Sequence, residues 1–145
     1  MKKTAYTMIA LFVLVGAMAV AAQAQTRRHF VANIPFQFIA GDANLPAGEY
    51  TITQVSQASE PTVVEIRMKK GNRAMLLQMG AIIGNSAKQT SLVFHRYGDK
   101  YFLAQAWIEG ESEGWDSPKS RSERAAQKEL AARNVAMETV ALRIR

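Results

Sequence analysis

The sequence predicts a small, mainly β domain: an antiparallel up-and-down barrel or sandwich of about seven strands, with one C-terminal helix before the last strand. Three observations carry this. Segments of strand length alternate apolar and polar residues, the period of a half-buried strand. Two pairs of them flank Gly71-Asn72 and Gly98-Asp99. Such two-residue turns need positive φ, which Gly adopts without a steric penalty. Only the stretch after Ser117-Pro118 is rich in Ala and charge at helical spacing.

The elements follow in order. Lys2-Lys3, the apolar run Met8 to Val20 and Ala22-Gln23-Ala24 have the layout of a secretory signal peptide, so residues 1–24 are expected to be removed. The run is short for a span of roughly 20 residues. Residues 25–145 then form one β-rich domain. Arg27 to Ile39 reads as a strand with Phe30, Ala32, Ile34, Phe36 and Phe38 on one parity. Pro35 cannot donate to a ladder and places this strand at an edge or a bulge. Gly41 to Gly48 is a turn-rich connection, with Pro46 and Gly48 placed for a type I turn. Tyr50 to Val55 is the second strand, and Ser56 to Pro61 a polar loop.

Thr62–Lys70 and Arg73–Ile83 form the next hairpin. Folding about Gly71-Asn72 pairs Met68 with Met75, Ile66 with Leu77 and Val64 with Met79, all on one face. Ser91 to Ile108 folds about Gly98-Asp99, pairing Tyr97 with Lys100, Arg96 with Tyr101, His95 with Phe102 and Phe94 with Leu103. Glu109 to Ser117 is an acidic, Gly-containing loop. A helix is expected over about 118–133, begun by Ser117-Pro118 or by a Ser120/Glu123 capping box and stopped at Asn134. Val140, Leu142 and Ile144 alternate in a last strand, expected to return beside an early one.

Charge and composition narrow the function. The chain has 145 residues, a net charge of +6 and no cysteine, which excludes thiol catalysis and thiolate metal sites. Without Lys2 and Lys3 the charge is +4, and the excess lies from Ser117 onward, with seven Lys/Arg against three Asp/Glu. Arg121, Arg124 and Lys128 share one helix face. They are candidate contacts for an anionic envelope surface or another envelope protein, and export makes nucleic acid a poor fit. Trp115, between acidic residues, is a fourth candidate contact, against a packing role beside the helix start.

Two histidines are candidates for chemistry. His29 starts a strand beside Arg27-Arg28 and reads as solvated. His95 lies opposite Phe102, as a structural residue with one hydrogen bond or as a general base. Glu109 to Asp116 mimics the spacing of a calcium loop, but Ser120 stands where the closing Glu belongs, so no metal is expected. Nucleophile-elbow, zincin and phosphate-loop motifs are missing, and no catalytic residue or cofactor is assigned.

Several pieces together resemble an uncharacterised family of small secreted β-rich proteins from soil bacteria. They are Asn33-Ile34-Pro35-Phe36-Gln37-Phe38, Leu45-Pro46-Ala47-Gly48-Glu49-Tyr50, Leu92-Val93-Phe94-His95-Arg96-Tyr97-Gly98-Asp99 with Tyr101-Phe102-Leu103 and Trp107, and Pro118-Lys119-Ser120 with Glu123. The resemblance implies export and brings no catalytic residues, since that family has no established activity.

The resulting expectation is an exported, non-enzymatic β-domain, periplasmic or extracellular, with a binding or structural role and no transmembrane segment after cleavage. The alternative is a carrier of a small apolar ligand lined by Met68, Met75, Phe94 and Trp107, and a third reading is a hydrolase using His95. A bulky inward set, from Phe30 through Trp107, favours a filled interior over a carrier. Intact-mass analysis of protein from its native host should find Gln25 at the N-terminus; full-length chain in the cytosol would contradict the signal peptide.

Overall fold

Turn chemistry decides where the chain reverses. The structure is a computed structural model that describes residues 28–56 and 61–144. The expected signal peptide and the first residues of the first strand lie outside the described residues, as does most of the Ser56–Pro61 loop. Among the described residues there are ten strands: β1 (His29–Ile34), β2 (Phe38–Ala40), β3 (Ala43–Leu45), β4 (Gly48–Gln54), β5 (Thr62–Met68), β6 (Ala74–Ile83), β7 (Ser91–Tyr97), β8 (Lys100–Trp107), β9 (Glu113–Asp116) and β10 (Glu138–Arg143). A helix, α1 (Arg121–Ala132), precedes β10. The fold is mainly β, as expected, but the strand count of about seven is corrected.

The three added strands have local causes. Pro35 has no N–H to offer, and the single strand expected across it breaks into β1 and β2. Gly41, at φ 60°, closes a two-residue turn with Asp42 that pairs Ala40 with Ala43, so the expected connection contains β3. That turn carries the same Gly-Asp dipeptide as Gly98-Asp99. The expected acidic loop holds β9, which fits between β6 and β8.

The β7–β8 hairpin has the expected register, from Tyr97 opposite Lys100 to Phe94 opposite Leu103. Gly98 has φ 66° and Asp99 is not at positive φ, the pattern of a type II′ turn. Beyond Phe94 the register shifts: Val93 faces Gln105, leaving Ala104 as the extra residue of a bulge. Ser117 N–H donates to the Ala104 carbonyl at 2.7 Å.

The β5–β6 register is corrected by two residues. Ile66 pairs with Met75 and Val64 with Leu77. Gly71 sits at φ 127° and Asn72 is not at positive φ, so the dipeptide does not form a type I′ turn. Instead the Lys69 N–H donates to the Glu49 carbonyl of β4, at 2.9 Å, and the reversal takes five residues, Lys69 to Arg73. A slide of two keeps every side chain on its face, whereas a slide of one would have turned the apolar set outward.

The strand order is β1-β4-β5-β6-β9-β8-β2-β3, with β7 on β8 and β10 on β7. The sheet is neither closed nor purely antiparallel: β1 pairs with β4 alone, and β2 meets β8 in parallel at Ile39–Phe102. This corrects the up-and-down barrel. It also corrects the last strand, which covers the edge of β7 rather than an early strand. Strand β6 spans both halves, pairing with β5 through Met79 and with β9 from Gly80 onward. The halves pack on one core in which Phe38 sits edge-on to Tyr50 at 5.3 Å and to Phe94 at 5.6 Å. Trp115, 1 % exposed, belongs to that core, beside Phe30.

Trp107, expected inside, stands apart from the core cluster. Its ring lies over Gly84 and Gly114, and its Nε1–H donates to Gln105 Oε1 at 3.1 Å. A Cβ on Gly114 would stand 2.8 Å from that ring and 3.0 Å from the Ala106 carbonyl oxygen, whereas at Gly80 the nearest atom is 3.9 Å away. Gly114→Ala should therefore cost about 1–3 kcal/mol, the range for overpacking. Gly80→Ala should stay within about 0.5 kcal/mol, as an unstrained change does. Denaturant melts that reverse this order would place Trp107 elsewhere.

Candidate functional site

The first turn of α1 gathers polar side chains from the β2–β3 turn, β7 and the helix itself. Ser120 is the N-cap, its extended backbone letting Oγ accept from the Glu123 N–H at 3.1 Å. The helix thus begins later than Pro118, at the alternative cap. Asp42, from the β2–β3 turn, accepts from Ser122 N–H at 3.2 Å and Ser122 Oγ at 2.8 Å. These two bonds from Ser122 hold the Asp42 carboxyl below the usual carboxylate range. A negative group there also suits the positive end of the helix dipole.

Glu123 does not complete the capping box. Its side chain is buried, the whole residue 3 % exposed, and points at β7. Oε1 lies 2.7 Å from His95 Nδ1 and 3.1 Å from Tyr97 Oη. An ionised carboxylate only accepts, so Nδ1 carries the proton and Tyr97 donates. Burial, then the Glu123 charge and its hydrogen bond, push the Tyr97 hydroxyl up to about 12. The side chains of Ala126 and Leu130 continue the same stripe and pack with Tyr97, Phe102 and Ile39 in a second small cluster.

The other end of α1 closes on Asn134 at φ 53°. Asn134 N–H donates to the Ala131 carbonyl and Val135 N–H to the Leu130 carbonyl, a Schellman motif that fits the expected stop.

The sequence candidates separate clearly. Arg121, Arg124 and Lys128 all lie exposed on α1, on the side away from Glu123 and Ala126. Trp115 is corrected: β9 carries it into the core, where it has no surface to offer a partner. Its Nε1–H is a buried donor without a partner among the described residues. Arg28 pairs with Glu111 at 3.5 Å and Glu113 at 3.9 Å, which gives the acidic stretch a protein cation. His29 opens β1 opposite Thr53, far in register from the His95 group.

A carboxylate-held imidazole can act as a base, but a base needs a proton to take. Among the described residues, no nucleophile hydrogen-bonds His95; Ser120 and Ser122 Oγ bond each other at 2.9 Å and Ser122 bonds Asp42. What the arrangement does is fasten α1 to the sheet. Sequence reasoning read Glu123 only as a cap partner. The available signal was its spacing, three and seven residues before Ala126 and Leu130, which puts it on the buried stripe.

No family model, curated protein or solved structure matches this chain.

The raised Tyr97 group has a definite sign. Its stabilising contribution is whole below an unfolded tyrosine's pKa of about 10 and is lost as pH climbs through about 12. Alkaline melts of the wild type should show extra loss between these values, and Tyr97→Phe should remove that slope. The same variant should cost about 1.5–3 kcal/mol at neutral pH, the range for a hydrogen bond to a charged group. Tyrosinate absorbance assigned to Tyr97 and complete near pH 10 would contradict the buried contact.

Proposed function

We propose that this chain is an exported, non-enzymatic β-domain that attaches to an anionic envelope surface through the outer face of α1. One observation carries the reading. Arg121, Arg124 and Lys128 lie along one exposed side of the helix, and none has a carboxylate within salt-bridge distance among the described residues. Nearby cations behave differently, since Arg96 pairs with Glu138 and Arg133 with Glu129. Three cations without a salt bridge among the described residues, of which Arg121 also acts on Asp42 from a distance, make a positive strip on a face held from behind by Glu123.

Other features support the same reading. Trp115, Tyr50, Phe38, Phe94 and Phe102 fill interior positions. His95 is committed to Glu123. No helix among the described residues is long and apolar enough to cross a membrane.

Vesicle co-sedimentation tests this. The chain without residues 1–24 should bind phosphatidylglycerol vesicles and not phosphatidylcholine vesicles. Binding should fall away in 1 M salt, where the Debye length is about 3 Å. Replacing Arg121, Arg124 and Lys128 together by Gln should lower partitioning roughly 100-fold, at about 1 kcal/mol per cation near an anionic surface. Equal binding to neutral vesicles, or a triple variant that binds unchanged, would refute the proposal.

A further inference from the structure

Among the described residues the open sheet leaves three strands with a neighbour on one side only: β1 against β4, β10 against β7 and β3 against β2. Such edges present unpaired N–H and C=O groups, and proteins commonly guard them with charge or by keeping them short. Strand β3 has three residues. Strand β10 carries Glu138 and Arg143 at its two ends. Strand β1 has neither guard, since its six residues, His29–Ile34, include no Lys, Arg, Asp or Glu. Val31, near its middle, is 43 % exposed.

The hydrogen bonds of β4 decide which groups of β1 face outward. Gln54 N–H donates to the Arg28 carbonyl at 2.8 Å, and the next residue, His29, stands opposite Thr53. Bonded and non-bonded pairs alternate along an antiparallel ladder. Phe30, Ala32 and Ile34 therefore exchange bonds with Ile52, Tyr50 and Gly48. The far side of β4 agrees, because Val55 N–H donates to the Val63 carbonyl and Lys69 N–H to the Glu49 carbonyl, so odd-numbered residues of β4 turn toward β5. The N–H and C=O of Val31 and Asn33 point away from β4, and no described residue takes them. The side chains of these two residues lie on the exposed outer face.

We infer that β1 pairs with β1 of a second copy of this chain, antiparallel, about a two-fold axis through Val31. The strand is self-complementary in that register. A two-fold axis normal to the sheet keeps every side chain on its own face, so only residues of the same parity can stand opposite each other. Hydrogen bonding further requires the outward-facing set, and that set centres on Val31. Val31 then lies opposite Val31 of the second copy, and the two exchange a pair of N–H···O=C bonds. On the inner face Phe30 falls opposite Ala32, large against small, and no like charges are brought together. Phe30 is only half-buried in the single chain, so the pairing extends its cover. Pro35 ends the ladder beyond Ile34. Both copies use the same edge, so the assembly closes at two, whereas β1 on β10 of another copy would leave an edge at each end and grow. This edge is separate from the cationic strip on α1, and either can fail without the other.

A ladder this short makes a weak dimer, so the chain without residues 1–24 is followed by analytical ultracentrifugation up to about 1 mM, where such affinities are still read. A discrete dimer and nothing larger should appear. The amides of Val31 and Asn33 should exchange hydrogen more slowly as concentration rises, while those of Phe30 and Ala32, already bonded to β4, should not change. Val31→Pro removes the outward N–H and spares the β4 ladder. It should raise the dissociation constant roughly tenfold or more, the scale of one or two lost hydrogen bonds. Val31→Lys, an exposed change that sets like charges opposite each other, should act in the same direction. The chain has no cysteine, so Val31→Cys should cross-link to itself under mild oxidation. The Cα atoms of a hydrogen-bonded pair stand about 5.5 Å apart, within disulfide reach. Ala141→Cys, on the outer edge of β10, should stay unlinked. A monomer at the highest concentration, a dimer that both Val31→Pro and Val31→Lys leave unchanged, open-ended association, or cross-linking through Ala141→Cys alone would overturn the inference.

Discussion

The buried carboxylate of Glu123 is the interaction on which the helical side of the molecule depends. Alone, α1 has little reason to stay on the sheet. It has twelve residues, short of what a helix needs to persist in water, and buries only Glu123 and Ala126 with Leu130 half-covered. Polar bonds make up the shortfall. Asp42 takes the Ser122 donors, Ser120 caps the Glu123 amide, and the Glu123 carboxylate takes His95 and Tyr97. Removing one partner from a buried charge costs about 3–5 kcal/mol, more than α1 can recover from its apolar contacts. The stability of this attachment is therefore concentrated in a few atoms, and it sets the position of everything α1 carries.

The sheet solves a different problem. A single sheet of this composition has more apolar surface than one small helix can cover. It bends at β6 instead, one half closing on the other around Phe38, Tyr50 and Phe94. Gly80 marks the place where β6 leaves β5 for β9. The Ala104 bulge in β8 and the short bridge to β2 are the irregularities of this arrangement, and a surface recess beside Lys100 opens next to one of them.

Much of this was legible in the sequence where local chemistry and periodicity agreed. The Gly98-Asp99 hairpin, the alternation in β4 and β5, the edge position of the strand that carries Phe30 to Ile34 and the Asn134 stop all arise within a few residues, and the structure contains each of them. The rest depended on distant partners. Glu49 holds Lys69 and thereby lengthens the β5–β6 reversal. The β9 strand looked like an acidic loop because its four residues, Glu113-Gly114-Trp115-Asp116, have no alternation long enough to read. Its strand character comes from β6 and β8 on either side, and Trp115 is drawn inward with it. The cationic face of α1 was legible from helical spacing alone, whereas the recess was not, since the β2–β3 hairpin, β8 and α1 contribute to it from three separate parts of the chain.

The surface recess beside Lys100 and the cationic strip share one support. Asp42 leaves the β2–β3 turn to hold Ser122, and that turn carries Asn44 to the recess, while Ser122 itself lines the recess. On the far side of the same helical turn, Arg121 and Arg124 face solvent. The first turn of α1 is thus a common wall between a polar recess and a positive strip. Loosening it at Glu123 would displace both, although no atom of Glu123 lies in either lining. Such a residue acts by position. Its effect should therefore appear in the binding of the strip to an anionic surface, although none of the three cations is changed.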